Sequence, residues 1–175
     1  MNRTAKGRSI DRYKYHSLPR HSLIVCATLV QNAANLGGLC RTCEAFRLEA
    51  LVIANLAITQ TPAFRNVAAS ADRWQPLVAC SVEGLTDWLD QKHQAGYRLI
   101  GLHVDANAIS LTKFAFPRRS VLVLGQELTG IPQSVLRFCH DSVKIPQSGL
   151  VESLNVQTAA AIAMYEYGRQ HAGHS

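Results

Sequence analysis

The chain has no apolar run approaching the roughly 20 residues of a membrane-crossing helix, so no membrane partner is expected. Its start, MNRTAKGRSIDRYKYH, has no apolar stretch of the kind that marks a secretory leader. The expectation is a soluble intracellular protein, placed in the cytoplasm, with organelle import left open by the basic start. Charged residues make up only 17% of the chain and hydrophobic residues 47%, which excludes both a disordered chain and a coiled coil. Internal repeats and low-complexity segments are absent. No Gly-x-Gly-x-x-Gly triplet follows the first apolar run, which argues against a nicotinamide-binding site. No Ser/His/Asp set, paired carboxylates or metal-ligand cluster stands out, and no metal is expected. The five cysteines are Cys26, Cys40, Cys43, Cys80 and Cys139. Cys40 and Cys43 lack the second pair that a zinc site would need. Reduced thiols on the apolar face of a helix are expected, with a redox pair as the alternative.

The 175 residues suffice for one domain with a substantial core. Net charge is +6. Residues 1–20 hold Arg3, Lys6, Arg8, Arg12, Lys14 and Arg20 against Asp11, which leaves the rest nearly neutral. The division expected is a basic tail over residues 1–20 and a single domain over 21–175. A basic arm interleaved with Tyr13 and Tyr15 suits a polyanion such as RNA. A solvated, frayed terminus is the plainer alternative.

Short apolar runs at residues 22–29, 51–54, 76–80, 98–104, 120–124 and 143–145 read as strands. Between them lie helical patterns at 35–48, 62–70, 82–95, 132–139 and 154–167, and a short helix is expected before Pro19. Asn35 is a candidate N-cap, Gly96 a helix stop, and Pro132 a first helical residue. Strands that read as runs, alternating with helices, predict an α/β fold: a mostly parallel sheet with helices on both faces.

In such sheets ligands bind at the carboxyl ends of strands, and several strands here end in unusual loops. Gly37 and Gly38 precede Arg41 on one helix. They either leave open backbone for a phosphate beside a fork-shaped cation, or allow tight helix–sheet packing and leave Arg41 as a surface charge. Glu127 stands between Gly125 and Gly130 directly after a buried strand. Ser153 and Asn155 open the last helix, where capping is their plain role. His103 is either a half-buried strand-end residue or a ligand.

Three motifs recur in order: Asn35-x-Gly37-x-x-x-Arg41; Leu124-Gly125-x-Glu127-x-x-Gly130-Ile131-Pro132; and Ile145-Pro146-x-x-Gly149-x-x-x-Ser153-Leu154-Asn155-Val156. Together they resemble the SpoU/TrmH branch of the SPOUT RNA methyltransferases over roughly residues 21–170. The Cys-Arg-Thr-Cys-Glu stretch and the Ser-Leu-Asn-Val segment look most like the catalytic domains of eukaryotic-type tRNA guanosine-18 2′-O-methyltransferases. The resemblance implies a parallel α/β sheet with a C-terminal trefoil knot, a topology otherwise rare. It implies S-adenosylmethionine held largely by backbone groups at Leu102, Gly125, Ile145, Ser153 and Leu154. It gives Arg41 the contact with the target nucleotide, surrounded by Asn35, Glu127, Ser153 and Asn155. The implied reaction is methylation of a ribose 2′-hydroxyl in structured RNA, with tRNA as the first choice. A non-catalytic RNA-binding relative, and an enzyme acting on rRNA or on a base nitrogen, are the alternatives. The resemblance also implies a homodimer with a site completed across the interface. The alanines at 159–163 would allow close helix approach there, or equally within one chain. Two departures stand out: Gln126 occupies a position where many relatives have Asn, and a tail of about 20 residues stands where relatives often carry a large N-terminal region.

Overall fold

A computed structural model describes residues 12–151 and 153–172. Seven strands form one sheet in the order β3-β2-β1-β6-β4-β7-β5, with every neighbouring pair parallel. They are β1 (His21–Cys26), β2 (Leu48–Ile53), β3 (Leu77–Ala79), β4 (Arg98–Leu102), β5 (Ile109–Ser110), β6 (Ser120–Val123) and β7 (Asp141–Lys144). The helices are α1 (Arg12–Ser17), α2 (Ala33–Ala45), α3 (Pro62–Ala68), α4 (Leu85–Gln94), α5 (Gln133–Leu136) and α6 (Val156–Gln170). Among the described residues no helix is long and apolar enough to cross a membrane.

The apolar runs become strands because both faces of the sheet are covered. Leu23 and Val25 point into one core with Leu36, Leu39, Phe64 and Met164 from α2, α3 and α6. Their neighbours Ile24 and Cys26 point into a second core with Leu85 and Leu89 of α4 and Val135 of α5. Each fully buried Leu, Ile or Val contributes about 1.5–3 kcal/mol by leaving water. A polar residue on either face of β1 would therefore weaken one core or the other. Ala160 and Ala163 of α6 are buried in the first core, so the alanine stripe serves a contact within the chain.

Helix α2 departs from expectation at both ends. Its N-cap is Asn32, not Asn35: Asn32 is extended (φ −72°, ψ 117°), and its Oδ1 accepts from the amides of Ala34 and Asn35. Asn35 sits inside the first turn, which frees its side chain. The helix ends at Ala45 because Arg47 turns to a positive φ of 50°, delivering Leu48 into β2. Pro132 is the N-cap of α5 rather than its first residue. The short helix before Pro19 is α1, and Gly96 ends α4 in the left-handed region as expected (φ 85°). The two-residue strand β5 has no apolar run to announce it.

Residues 1–11, with most of the basic tail, lie outside the described residues, as do the side chains of Arg12, Tyr13 and Lys14. The part that is described packs on the domain. The Tyr15 hydroxyl donates to Glu44, and the Tyr15 and His16 rings meet Trp74. Arg47 donates to the carbonyl oxygens of Leu18 (2.7 Å) and Pro19 (3.2 Å).

Cys40 and Cys43 are both fully buried in the first core. Burial pushes the Cys40 thiol up to about 12 and raises Cys43 well above its ordinary value. A redox pair needs access and a lowered pKa, so the expectation of inert core thiols holds. The folded chain keeps these protons more tightly than the unfolded chain, so their contribution is full below the ordinary thiol range and is lost as pH rises towards 12. Brief alkylation of the native protein at pH 8 should modify at most Cys139 and Cys80, the two least buried cysteines. Modification of Cys40 or Cys43 before unfolding, read by mass spectrometry, would restore the redox alternative.

Candidate active site

The carboxyl ends of β4, β6 and β7, with the segment entering α6, enclose a cavity of about 290 Å³. All five positions that the resemblance gave to a cofactor, Leu102, Gly125, Ile145, Ser153 and Leu154, lie on its wall. Its lining is apolar at Leu102, Leu124, Ile145, Leu154 and Val156, while Glu127, Thr129 and Gln147 supply polar groups. Such a lining suits a ligand with a flat apolar portion and a charged, hydrogen-bonding portion.

The loop after β6 is shaped by its glycines. Gln126 and Gly130 pair antiparallel through N–H···O bonds of 2.9 and 3.0 Å, which folds residues 125–130 back on themselves. A Cβ on Gly125 would lie 2.4 Å from the Gly130 carbonyl carbon and 2.6 Å from the Ile131 nitrogen, so only glycine fits. Gly130 adopts φ 70° with the His103 ring beside it. His103 is a half-buried residue past the end of β4 that also lines the cavity.

Three polar side chains far apart in sequence meet beside this cavity. Asn155 Oδ1 caps α6 by accepting from the amides of Gln157 (2.9 Å) and Thr158 (3.2 Å). Its Nδ2 then donates to Asn35 Oδ1 at 3.1 Å. Asn35 Nδ2 in turn donates to Glu127 Oε1 at 3.1 Å. The capping bonds fix the orientation of the first amide, and each amide fixes the next. Glu127 is thereby held as an acceptor on the cavity wall. Thus Asn35, Glu127 and Asn155 come together, and Ser153 and Glu127 both line the cavity.

Arg41 stands apart from them. It is exposed on α2, outside the cavity lining, and no ion pair among the described residues involves it. Six residues separate it from Asn35, about 9 Å along the helix axis. The open backbone beside it is not there. A Cβ on Gly37 would lie 2.4 Å from the Phe64 carbonyl oxygen of α3, and one on Gly38 would lie 2.5 Å from the Gln157 side chain of α6. The two glycines thus serve close packing, but of helix against helix and not, as expected, of helix against sheet.

Sequence reading missed Lys144. It lines the cavity, and its Nζ donates to the carbonyls of Asp105 (2.8 Å) and Ala106 (3.1 Å), which pins the loop after β4. The only signal was a lysine closing a short strand just before Ile145-Pro146. Among the described residues no group of His, Cys, Asp and Glu could hold a metal ion.

An all-parallel α/β domain with glycine-shaped loops around a cavity at its strand carboxyl ends is, by architecture, a ligand-binding domain of the kind used by nucleotide-dependent enzymes. The chain belongs to the SpoU rRNA Methylase family, whose model matches residues 22–165. It is 39% identical to a tRNA (guanosine(18)-2′-O)-methyltransferase of Mus musculus over 97% of this chain and 10% of that protein. It is 36% identical to a tRNA (guanosine(18)-2′-O)-methyltransferase of Saccharomyces cerevisiae over 87% of this chain and 11% of that protein. The chain thus spans about a tenth of the length of these two curated relatives. The fold matches that of an AdoMet-bound rRNA methyltransferase from Sinorhizobium meliloti, with TM-score 0.77 and 21% identity, over 90% of this chain and 60% of that one.

Proposed function

We propose that this chain is the catalytic domain of an S-adenosylmethionine-dependent RNA ribose 2′-O-methyltransferase that acts on tRNA. The observation that carries the reading is the single cavity lined by Leu102, Gly125, Ile145, Ser153 and Leu154, with the Asn155–Asn35–Glu127 network at its side. Family membership and the names of the two curated relatives support it. Both relatives act on tRNA, which favours tRNA over rRNA as the substrate. A trefoil knot in the C-terminal part, a boundary between a basic tail and the domain near residue 20, and a cytoplasmic location complete the reading.

The cavity fits the cofactor: its apolar lining residues suit an adenine ring, and its polar ones suit the amino-acid end. When bound, S-adenosylmethionine supplies an electrophilic methyl group. The protein's part is to exclude water, to place the ribose hydroxyl, and to let its proton leave. Glu127 Oε1 is already engaged by Asn35, so the carboxylate presents its other oxygen to substrate. Arginine holds its proton too firmly to act readily as a base. Arg41 instead grips the phosphate beside the target ribose and aligns the hydroxyl, whose proton passes to the phosphate or to water.

Arg41 lies outside the cavity of its own chain, which supports a homodimer in which a second copy completes the site. Leu128 and Leu150 are fully exposed, at 98% and 104%, on the loops after β6 and β7. These two side chains are the apolar groups that such an interface would cover. Calorimetry should show one S-adenosylmethionine site per chain. Incubation with tRNA and methyl-labelled cofactor should place label in a ribose-methylated guanosine, read by nucleoside mass spectrometry. Label in a methylated base would transfer the reading to base-nitrogen chemistry, and cofactor-independent RNA binding without any label would make the chain a non-catalytic relative.

A further inference from the structure

The sequence put most of the net charge in the first 20 residues, but the fold also sorts the charges of the remaining body. Cations gather at the amino ends of the strands, the edge of the sheet opposite the cavity. Arg98 opens β4, Arg118 and Arg119 precede β6, and Arg47 precedes β2. Two surface depressions lie there. One, of about 130 Å³, is lined by Arg20, His21, Arg47, Arg118 and His171. The other, of about 410 Å³, is lined by His93, Arg98, Arg119 and His140. The adjacent Arg118 and Arg119 contribute one to each, so the two depressions form a band around the edge, one beside Tyr167 of the first core and one beside Tyr97 of the second.

Three of the acids on this edge are already engaged. Glu44 is held by Arg20 at 2.8 Å, Asp141 by Arg98 at 2.7 Å, and Glu49 accepts from the Tyr97 hydroxyl at 2.6 Å. Arg47 and Arg119 belong to none of the ion pairs among the described residues. Each lies over an aromatic ring, Arg47 on Tyr15 and Arg119 on Tyr97, both at 4.4 Å. Stacking holds the Arg119 guanidinium flat and leaves edge donors for a planar or tetrahedral oxyanion, whereas Arg47 uses Nε and Nη2 on the carbonyls of Pro19, Tyr15 and Leu18 and contributes its positive charge. One buried nitrogen of Arg47, Nη1, has no hydrogen-bond partner. Helix α1 docks on the same edge through Tyr15 and Arg47, and Arg3, Lys6 and Arg8 precede it in the sequence.

We propose that this amino-terminal edge of the sheet is a docking face for the RNA phosphodiester backbone, separate from the reaction cavity. The proposal rests on the RNA methyltransferase reading and extends it. The band and the cavity lie at opposite ends of the strands. A six-residue strand such as β1 is roughly 20 Å long. The phosphates gripped here therefore belong to nucleotides remote from the target ribose, and a folded RNA reaches both where a short one does not. This makes the domain read RNA shape through spaced contacts rather than sequence.

The test is the double substitution Arg118→Gln with Arg119→Gln in the full chain, both positions being exposed. Affinity for folded tRNA should fall about 10-fold or more, and the slope of log affinity against log salt should fall in magnitude by roughly 1.5, for two lost phosphate contacts. The Kd for S-adenosylmethionine should stay at its original value, and the melting temperature should fall only slightly, from loss of the Arg119 contact with the Tyr97 ring. The double Arg→Lys variant should recover the slope. A short RNA spanning only the target nucleotide and its neighbours should bind the original and the Gln variant equally. An unchanged tRNA slope in the Gln variant would overturn the docking face while leaving the enzymatic reading intact. Equal binding of polyglutamate and tRNA by the original protein, with equal loss in the variant, would also overturn it, by making the edge a surface for acidic polypeptides. Failure of the original protein to bind any RNA would instead count against the methyltransferase reading itself.

Discussion

Arg41→Ala should lose about 100-fold or more in turnover and keep its affinity for S-adenosylmethionine. Such a loss corresponds to about 2.7 kcal/mol of transition-state stabilisation. The separation follows from placement: Arg41 is exposed and outside the cavity, so its removal leaves the cofactor's surroundings intact. Arg41→Lys distinguishes how the arginine works. A phosphate clamp needs the planar fork, and lysine should stay poor at every pH. A proton acceptor should be partly restored by lysine as pH rises, because an ammonium deprotonates more easily. Turnover, cofactor Kd and the pH profile of the lysine variant decide between them. Near-normal turnover by Arg41→Ala would return the residue to an ordinary surface charge.

Gly37→Ala should be strongly destabilising, and Gly38→Ala should not. Both glycines lie on α2, and each gains about 0.5–1 kcal/mol of helix propensity on becoming alanine. At Gly37 the new methyl would sit 2.4 Å from the Phe64 carbonyl oxygen and 3.2 Å from the Ala68 nitrogen. Those are backbone atoms of α3, and they move only if the whole helix moves. Overpacking of this kind costs about 1–3 kcal/mol and occasionally more, which outweighs the propensity gain. A net loss near 2 kcal/mol would lower the melting temperature by roughly 4–8 °C for a domain of this size. At Gly38 every close atom belongs to the Gln157 side chain, which can swing aside. Thermal melts of the two variants side by side give the answer, and equal melting temperatures would show that the α2–α3 contact yields readily.

Sequence pattern located most of the layers because the strands are buried on both faces and so read as uninterrupted apolar runs. Strand β5 escaped because two residues pairing with a neighbour leave no periodic trace. The start of α2 was misjudged because Asn32 and Asn35 are equally good capping residues in isolation. Only the path of the chain after β1 decides which of them is extended. The cavity was readable because its loops carry glycines and polar residues directly after apolar runs. The filling of the space beside Gly37 and Gly38 was not readable, since α3 and α6 are brought there by tertiary packing. The same holds for Lys144, whose partners are two backbone carbonyls that no residue type announces, and for the sorting of arginines to one edge, which depends on strand direction.

The amide relay from Asn155 through Asn35 to Glu127 sets an order of events as the chain is synthesised. Its members leave the ribosome as Asn35, then Glu127, then Asn155, with 120 residues separating the first from the last. Until Asn155 emerges and caps α6, the Asn35 oxygen lacks its donor, and the relay rests on the Glu127 end alone. A nascent chain that has formed its first strands and α2 still holds an unaligned set of polar groups. The alignment arrives late, with the final helix, so a truncated or stalled product carries the early motif without the geometry that gives it meaning.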